Sequence, residues 1–201
     1  MIALIDYDAG NMKSVEKALH FLGKEVIVTS DKNKILAADH VILPGVGAFG
    51  MAMDQLRERD LIGVIREVAE KGTPFLGVCL GMQLLFDASE ENPGVAGLSL
   101  MPGEIRKIPT GTYEKIPHMG WNSLDITPGK RLLAGLGEHP YVYFVHSYYV
   151  HATDRSAVAA TTEYNVTIDA AVEQGNLFGC QFHPEKSSDT GLKILQNFVN
   201  L

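Results

Sequence analysis

The chain has 201 residues, 46% hydrophobic and 20% charged, with 17 basic and 24 acidic side chains and a formal net charge of −7. Those values fit one globular domain, residues 1–201, with room for a substantial core, and exclude a disordered chain. The acidic balance argues against a nucleic-acid partner, which calls for a basic face, and no apolar run approaches the ~20 residues of a membrane span.

In chain order, Ile2 to Asp6 reads as a buried strand. It lacks the basic start of a secretory leader, so a cytoplasmic location is expected. Gly10-Asn11 opens a helix with Val15, Ala18, Leu19 and Leu22 on one face, ended by Gly23. Glu25 to Thr29 and Val41 to Leu43 are the next strands, the latter followed by a glycine-rich turn at Pro44-Gly45-Val46-Gly47. Leu61, Val64, Ile65, Val68 and Ala69 describe an amphipathic helix closed by Gly72, and Thr73 to Val78 is a further apolar strand. Alternating strands and helices predict an open, mainly parallel sheet covered by helices on both faces, a three-layer α/β arrangement. The second half differs. Ile105 to Ile108, Tyr141 to Val145, Ala157 to Tyr164, Thr167 to Val172 and Leu177 to Phe182 read as strands with short connections, hence mixed or antiparallel pairing. A last helix starts near Thr190, with Leu192, Leu195 and Val199 inward.

The organising stretch is Gly77-Val78-Cys79-Leu80-Gly81-Met82-Gln83. Gly-x-Cys-x-Gly between a strand and a helix is the cysteine form of the nucleophile elbow, a tight turn whose glycines remove clashing side chains. Backbone N–H groups at the helix start favour a thiolate, and the Leu80 N–H points toward a developing oxyanion. The pattern alone fits a buried structural cysteine equally well. His183-Pro184-Glu185, following a second strand about a hundred residues on, shifts that balance. On an extended chain, residues 183 and 185 share a face, so a modest bend lets His183 act as a base whose second nitrogen Glu185 holds. Cys180, the other cysteine, reads as a small buried hydrophobe.

Pro44-Gly45-Val46-Gly47 lacks the Lys-Ser/Thr ending of a phosphate loop. The seven histidines show no metal-ligand spacing, so no metal site and no cofactor is expected. Gln83 lies about one helical turn after Cys79 and can face the same cleft, although a solvated glutamine fits the spacing too. Met119, Trp121, Tyr141 and Tyr143 are core residues by default and a partner surface by alternative.

Together, Pro44-Gly45-Val46-Gly47-Ala48-Phe49-Gly50, the Cys79 elbow, Pro117-His118-Met119-Gly120-Trp121-Asn122 and His183-Pro184-Glu185-Lys186-Ser187 resemble the class I, triad-type glutamine amidotransferases. Within that class the sequence resembles the glutaminase subunits of imidazole glycerol phosphate synthase. One departure is Asp8, where glycine is expected between Tyr7 and Ala9. The resemblance implies a catalytic set of Cys79, His183 and Glu185, with Val46 and Leu80 N–H groups as the oxyanion hole. It implies glutamine contacts from Gly47, Gln83, Glu91 and the backbone of Ser147 and Tyr148. It also implies a (β/α)₈ cyclase partner that receives ammonia, facing Asn11, Ser14, Lys17, Met119, Trp121, Tyr143 and Lys186. Spacing alone would call Asn11, Ser14 and Lys17 a solvated helix face. Other readings of the same residues are an amidotransferase of another pathway, such as pyridoxal phosphate synthesis, a hydrolase of other γ-glutamyl compounds, and a non-enzymatic subunit that kept the fold.

Overall fold

The computed structural model describes residues 1–8, 10, 12–111 and 115–201. Asn11, expected at the partner face, lies outside them. The first half contains β1 (Ile2–Ile5), α1 (Met12–Phe21), β2 (Val26–Thr29), α2 (Lys32–Leu36), β3 (His40–Leu43), α3 (Phe49–Glu58), α4 (Ile62–Glu70), β4 (Phe75–Val78) and α5 (Leu80–Gln83). Short strands β5 (Ala88–Ser89), β6 (Gly103–Lys107), β7 (His118–Ser123) and β8 (Asp125–Ile126) follow. Then come β9 (Tyr141–His146), β10 (Tyr148–Ala152), β11 (Val158–Tyr164), β12 (Val166–Gln174), β13 (Leu177–Cys180) and α6 (Ser188–Phe198).

The main sheet runs β2-β1-β3-β4-β13-β12-β10-β6-β5, with β11 and β8 added beside β12. β2, β1, β3, β4 and β13 are mutually parallel. From β13 to β12 the pairing turns antiparallel and stays so through β10 and β6. The expected change of character in the second half is therefore present. β1 and β4 are buried at every residue because helices cover both faces. One face packs Ala3 and Ile5 against Phe49 and Leu56 of α3 and Ile65 and Val68 of α4. The other packs Ile2 and Leu4 against Val15 and Leu19 of α1 and Ile194 and Phe198 of α6. A smaller third cluster holds Ile108, Tyr149 and Ile168, and each buried leucine, isoleucine or phenylalanine contributes ~2 kcal/mol of apolar transfer.

Two helices went unseen in the sequence. α2 is a five-residue helix whose start is set by Asp31, which accepts from the Asn33 and Lys34 N–H groups. It is too short to show a periodic apolar face. α3 begins at Phe49, where Ala48 has no side chain to cap it. The cap comes from 42 residues away, with Glu91 Oε2 accepting from the Phe49 N–H at 2.8 Å and Asn92 Oδ1 from the Gly50 N–H at 2.8 Å. β7 and β10 were also missed. Among the described residues β7 pairs only with β9, as a separate antiparallel ribbon opposing His118 to His146 and Trp121 to Tyr143.

Asp8 takes φ 68°, in the left-handed region that glycine adopts freely and aspartate tolerates. Its carboxylate pairs with Arg59 and its N–H donates to Asp6. The departure from glycine is thus absorbed locally.

Register determines where the chain can place chemistry. Leu43 of β3 lies opposite Gly77 of β4, and Val78 of β4 opposite Cys180 of β13. Three neighbouring parallel strands therefore end at one level. The Pro44 turn, Cys79 and the stretch 181–187 all leave the same edge, the carboxyl edge where open α/β sheets form their crevice.

Candidate active site

Cys79 stands between β4 and α5 with φ 54° and ψ −112°. Such a backbone costs ~1–3 kcal/mol in a residue with a side chain. The surroundings impose it. A Cβ on Gly81 would lie 1.8 Å from the Leu43 carbonyl oxygen, and one on Gly77 would lie 2.6 Å from the Gly81 oxygen. The Cys79 N–H is fixed to the Cys180 carbonyl at 2.7 Å. The elbow expected from Gly-x-Cys-x-Gly is present, and the helix behind it, α5, is a single turn.

His183 is reached from β13. Its N–H donates to the Tyr143 carbonyl at 2.9 Å, and its own carbonyl accepts from Ser187 Oγ at 2.6 Å. The expected extended His-Pro-Glu is instead a 3₁₀ turn over Pro184–Lys186, entered from an extended His183. Pro184 suits the first helical position because it needs no N–H there. The turn brings His183 Nδ1 to 2.8 Å from Glu185 Oε1, with both side chains almost fully buried. Burial works against the His183 cation, but Cys79 and Glu185 outweigh it and push its pKa up to about 9.

A cleft of about 340 Å³ is lined by Cys79, His183, Val46, Gly47, Leu80, Gln83, Glu91, Ser147 and Tyr148, together with Val145 and His146. Every residue expected at the nucleophile, the base, the oxyanion hole and the glutamine contacts borders it, and the expected orienter, Glu185, stands behind His183. The Pro44 turn at its rim is tied by the Tyr7 hydroxyl, which donates to the Pro44 carbonyl at 2.8 Å. Burial, and secondarily Cys79, keep that hydroxyl protonated. Gly45 is dictated by close approach, since a Cβ there would meet the Tyr7 oxygen at 2.7 Å. Glu91 borders the cleft while also capping α3. Cys180 is fully buried, and burial first, then Glu185 and Cys79, hold its thiol well above the usual range.

Three site residues escaped the sequence reading. Gln181 is fully buried and places Nε2 3.7 Å from Cys79 Sγ. His118 and His146 form a buried pair, Nδ1 to Nε2 at 3.0 Å. The Tyr148 carbonyl, 2.9 Å from His146 Nδ1, can only accept, so that nitrogen carries the proton. Neutral His146 then accepts at Nε2 from His118 Nδ1–H. Burial lowers His118 to about 4 and His146 to about 3, which keeps both neutral. Their only sequence signal was membership in the His118-to-Asn122 motif and the strand before Ser147. Among the described residues no three His, Cys, Asp or Glu side chains converge to hold a metal, and no helix is long and apolar enough to cross a membrane.

The residues expected at a partner face fall on two patches. Ser14, Lys17 and Phe21 of α1 share a shallow depression with Pro184, Glu185, Ser188 and Leu192. Lys186 is exposed on the turn beside it. Phe21, 77% exposed, was not anticipated. On the β7–β9 ribbon Met119, Trp121 and Tyr141 are exposed, and Tyr143 packs edge-on against Trp121.

A thiol facing an imidazole whose other nitrogen is held by a carboxylate can attack an amide carbonyl through a covalent intermediate. The family model for glutamine amidotransferase class-I matches residues 3–201. The chain belongs to the class-I glutamine amidotransferases. Among relatives of this amidotransferase, "Imidazole glycerol phosphate synthase subunit HisH" of Bacillus cereus strain G9842 is 54% identical over 198 residues, 98% of this chain and 93% of the relative. The protein of the same name from Moorella thermoacetica is 52% identical over 200 residues, 100% of this chain and 94% of the relative. Solved structures show the same fold at low identity. A crystal structure titled glutamine amidotransferase aligns with TM-score 0.77 and 19% identity, covering 99% of this chain and 100% of that one. PurLQS from Thermotoga maritima aligns at 0.76 and 22%, covering 99% and 97%.

Proposed function

We propose that this amidotransferase is the glutaminase subunit of an imidazole glycerol phosphate synthase in histidine biosynthesis, acting as a single cytoplasmic domain. Its triad in this reading is Cys79, His183 and Glu185. The carrying observation is the buried His183–Glu185 pair at 2.8 Å bordering the same cleft as a strained Cys79. The pathway rests on relatives 52–54% identical over nearly the whole chain.

The Cys79 thiolate adds to the side-chain amide carbon of glutamine. Val46 and Leu80 N–H groups receive the oxyanion. His183, raised toward the cationic form, protonates the departing ammonia, and a thioester remains. Neutral His183 then takes a proton from water, which cleaves the thioester to glutamate. Gln83 and Glu91 hold the substrate's two charged ends together with the Ser147–Tyr148 backbone, the acceptor oxygens of Gln83 and Glu91 suiting the α-ammonium, and Gly47 closes the site. Ammonia passes to a (β/α)₈ cyclase that docks on the α1 and β7–β9 patches. Exposed Met119, Trp121 and Phe21 suit such an interface, where methionine and aromatic residues are enriched.

The test is co-purification with the cyclase, with glutamate release measured with and without it. A stable complex whose glutamate release rises by roughly 10²–10³-fold with the cyclase's nucleotide ligand is expected, the range of one oxyanion-hole donor. Pairing with another synthase would overturn the pathway. No glutamate release from any complex would overturn the reaction.

A further inference from the structure

Gln181 is a fully buried amide beside the nucleophile, and the mechanism above leaves it unused. A buried amide is costly unless both ends are satisfied. Here its Oε1 accepts from Gln83 Nε2 at 2.9 Å, and its Nε2 faces Cys79 Sγ at 3.7 Å.

The orientation of both amides follows from one carbonyl. The Tyr148 oxygen can only accept, and it lies 3.0 Å from Gln83 Nε2. His146 Nδ1–H converges on the same oxygen at 2.9 Å. That fixes the Gln83 amide with its nitrogen inward, and its second N–H reaches Gln181. Gln181 must then present oxygen to Gln83 and its NH₂ to sulfur. The opposite flip would set donor against donor at Gln83 and oxygen against sulfur at Cys79. With both N–H groups committed, Gln83 can offer a ligand only its Oε1, an acceptor suited to an ammonium group.

Resting on the assignment of Cys79 as nucleophile, we propose that Gln181 is a further catalytic residue, whose side-chain N–H donates to the Cys79 thiolate and whose oxygen holds Gln83 in the orientation that receives the substrate's α-ammonium. It links the substrate anchor to the nucleophile through one amide. Hydrogen bonds to charged groups are worth roughly 10- to 100-fold in an equilibrium or rate.

Two variants separate its two ends. Gln181→Glu keeps an oxygen for Gln83 but removes the donor to sulfur. Gln181→Met keeps the volume and removes both. Iodoacetamide has no amino-acid end, so its rate of alkylation at Cys79, read by mass spectrometry on the full chain at neutral pH, reports the sulfur alone. Both variants should react about 10- to 100-fold more slowly. In the glutaminase assay of the complex, Gln181→Glu should lower kcat with KM nearly unchanged, whereas Gln181→Met should also raise KM. A purely structural role predicts a lower melting temperature with alkylation as fast as before or faster.

If neither variant folds, the unsubstituted chain decides. The Gln181 NH₂ resonances should shift between the native protein and Cys79→Ala. Alkylation of a folded variant at the native rate, or NH₂ resonances that do not move, overturns the proposal. A glutamine-like chloroketone that fails to label Cys79 in the native chain would instead overturn the nucleophile assignment.

Discussion

Two buried histidines border one cleft, and their surroundings shift their pKa values in opposite directions. His183 is pushed up to about 9 and His146 down to about 3. Burial opposes the cation in both. His183 has Glu185 at 2.8 Å on one nitrogen and Cys79 opposite the other. His146 has a carbonyl and a second imidazole in place of a carboxylate, and charge on His118 or His183 opposes its cation further. Burial therefore supplies a common penalty, and the charge of the partner decides the outcome. The consequence is a division of labour. His183 can hold the proton that leaves as ammonia, while His146 stays neutral and orients the Tyr148 carbonyl.

The largest expected effect comes from removing the shared cause. Cys79→Ala should lower glutamine hydrolysis by at least ~10³-fold, as in other triads, while the complex still uses added ammonium. The same change should move the His183 titration, followed by NMR, down from about 9. Glutamate release at a near-native rate would remove the assignment, and an unmoved titration would break the comparison.

Glu185→Gln should slow turnover less, by one or two orders of magnitude less than loss of the nucleophile. An amide can present the wrong face to Nδ1, and it withdraws the second charge that raises His183. Steady-state kinetics beside a circular-dichroism melt checks this. Native turnover in the variant would take Glu185 out of the triad.

The two sites should also bound stability against pH from opposite sides. His183 is raised, so its contribution is complete below about 6.5, the unfolded value, and lost as pH climbs through about 9. His118 and His146 are depressed, so their neutral burial costs nothing above about 6.5 and destabilises increasingly as pH falls toward 4 and 3. Urea midpoints should peak near pH 6 to 7, as these shifts require. A curve flat down to pH 4 would contradict the neutral pair.

The smallest effect sharpens the role of that pair. His118→Phe preserves the stacking on Phe144 and Tyr164, whose centroids lie 4.5 and 3.9 Å away, but leaves His146 Nε2 without its donor. The loss should be about 1 kcal/mol at neutral pH, with a shallower fall in acid. An unchanged acid limb would place the sensitivity elsewhere.

Much of this site was legible before any coordinates. Strands 2–5, 41–43 and 75–78 are continuous apolar runs, so their burial in a parallel sheet follows from composition. Gly77 and Gly81 flank Cys79 because only hydrogen fits where the backbones touch, Gly77 against nearby Gly81 and Gly81 against Leu43 of β3. Val46, Cys79, Leu80, Gln83, Glu91 and His183 were placed by motif, and they border one cleft. The α3 start was not legible, because its caps arrive from Glu91 and Asn92 across 42 residues. Nor was Gln181, which has no spacing relation to Gln83 and meets it only through the pairing of β4 with β13.

By itself, then, the sequence determined what is local: the glycine-flanked turn at Cys79, the apolar strands and the α1 face. These depend on sterics and periodicity within a few residues. Tertiary structure alone decided what depends on distance and dielectric. Register brought 44–47, 79 and 181–187 to one edge. Burial and neighbouring charge, which no linear pattern encodes, set His183 and His146 on opposite sides of neutrality.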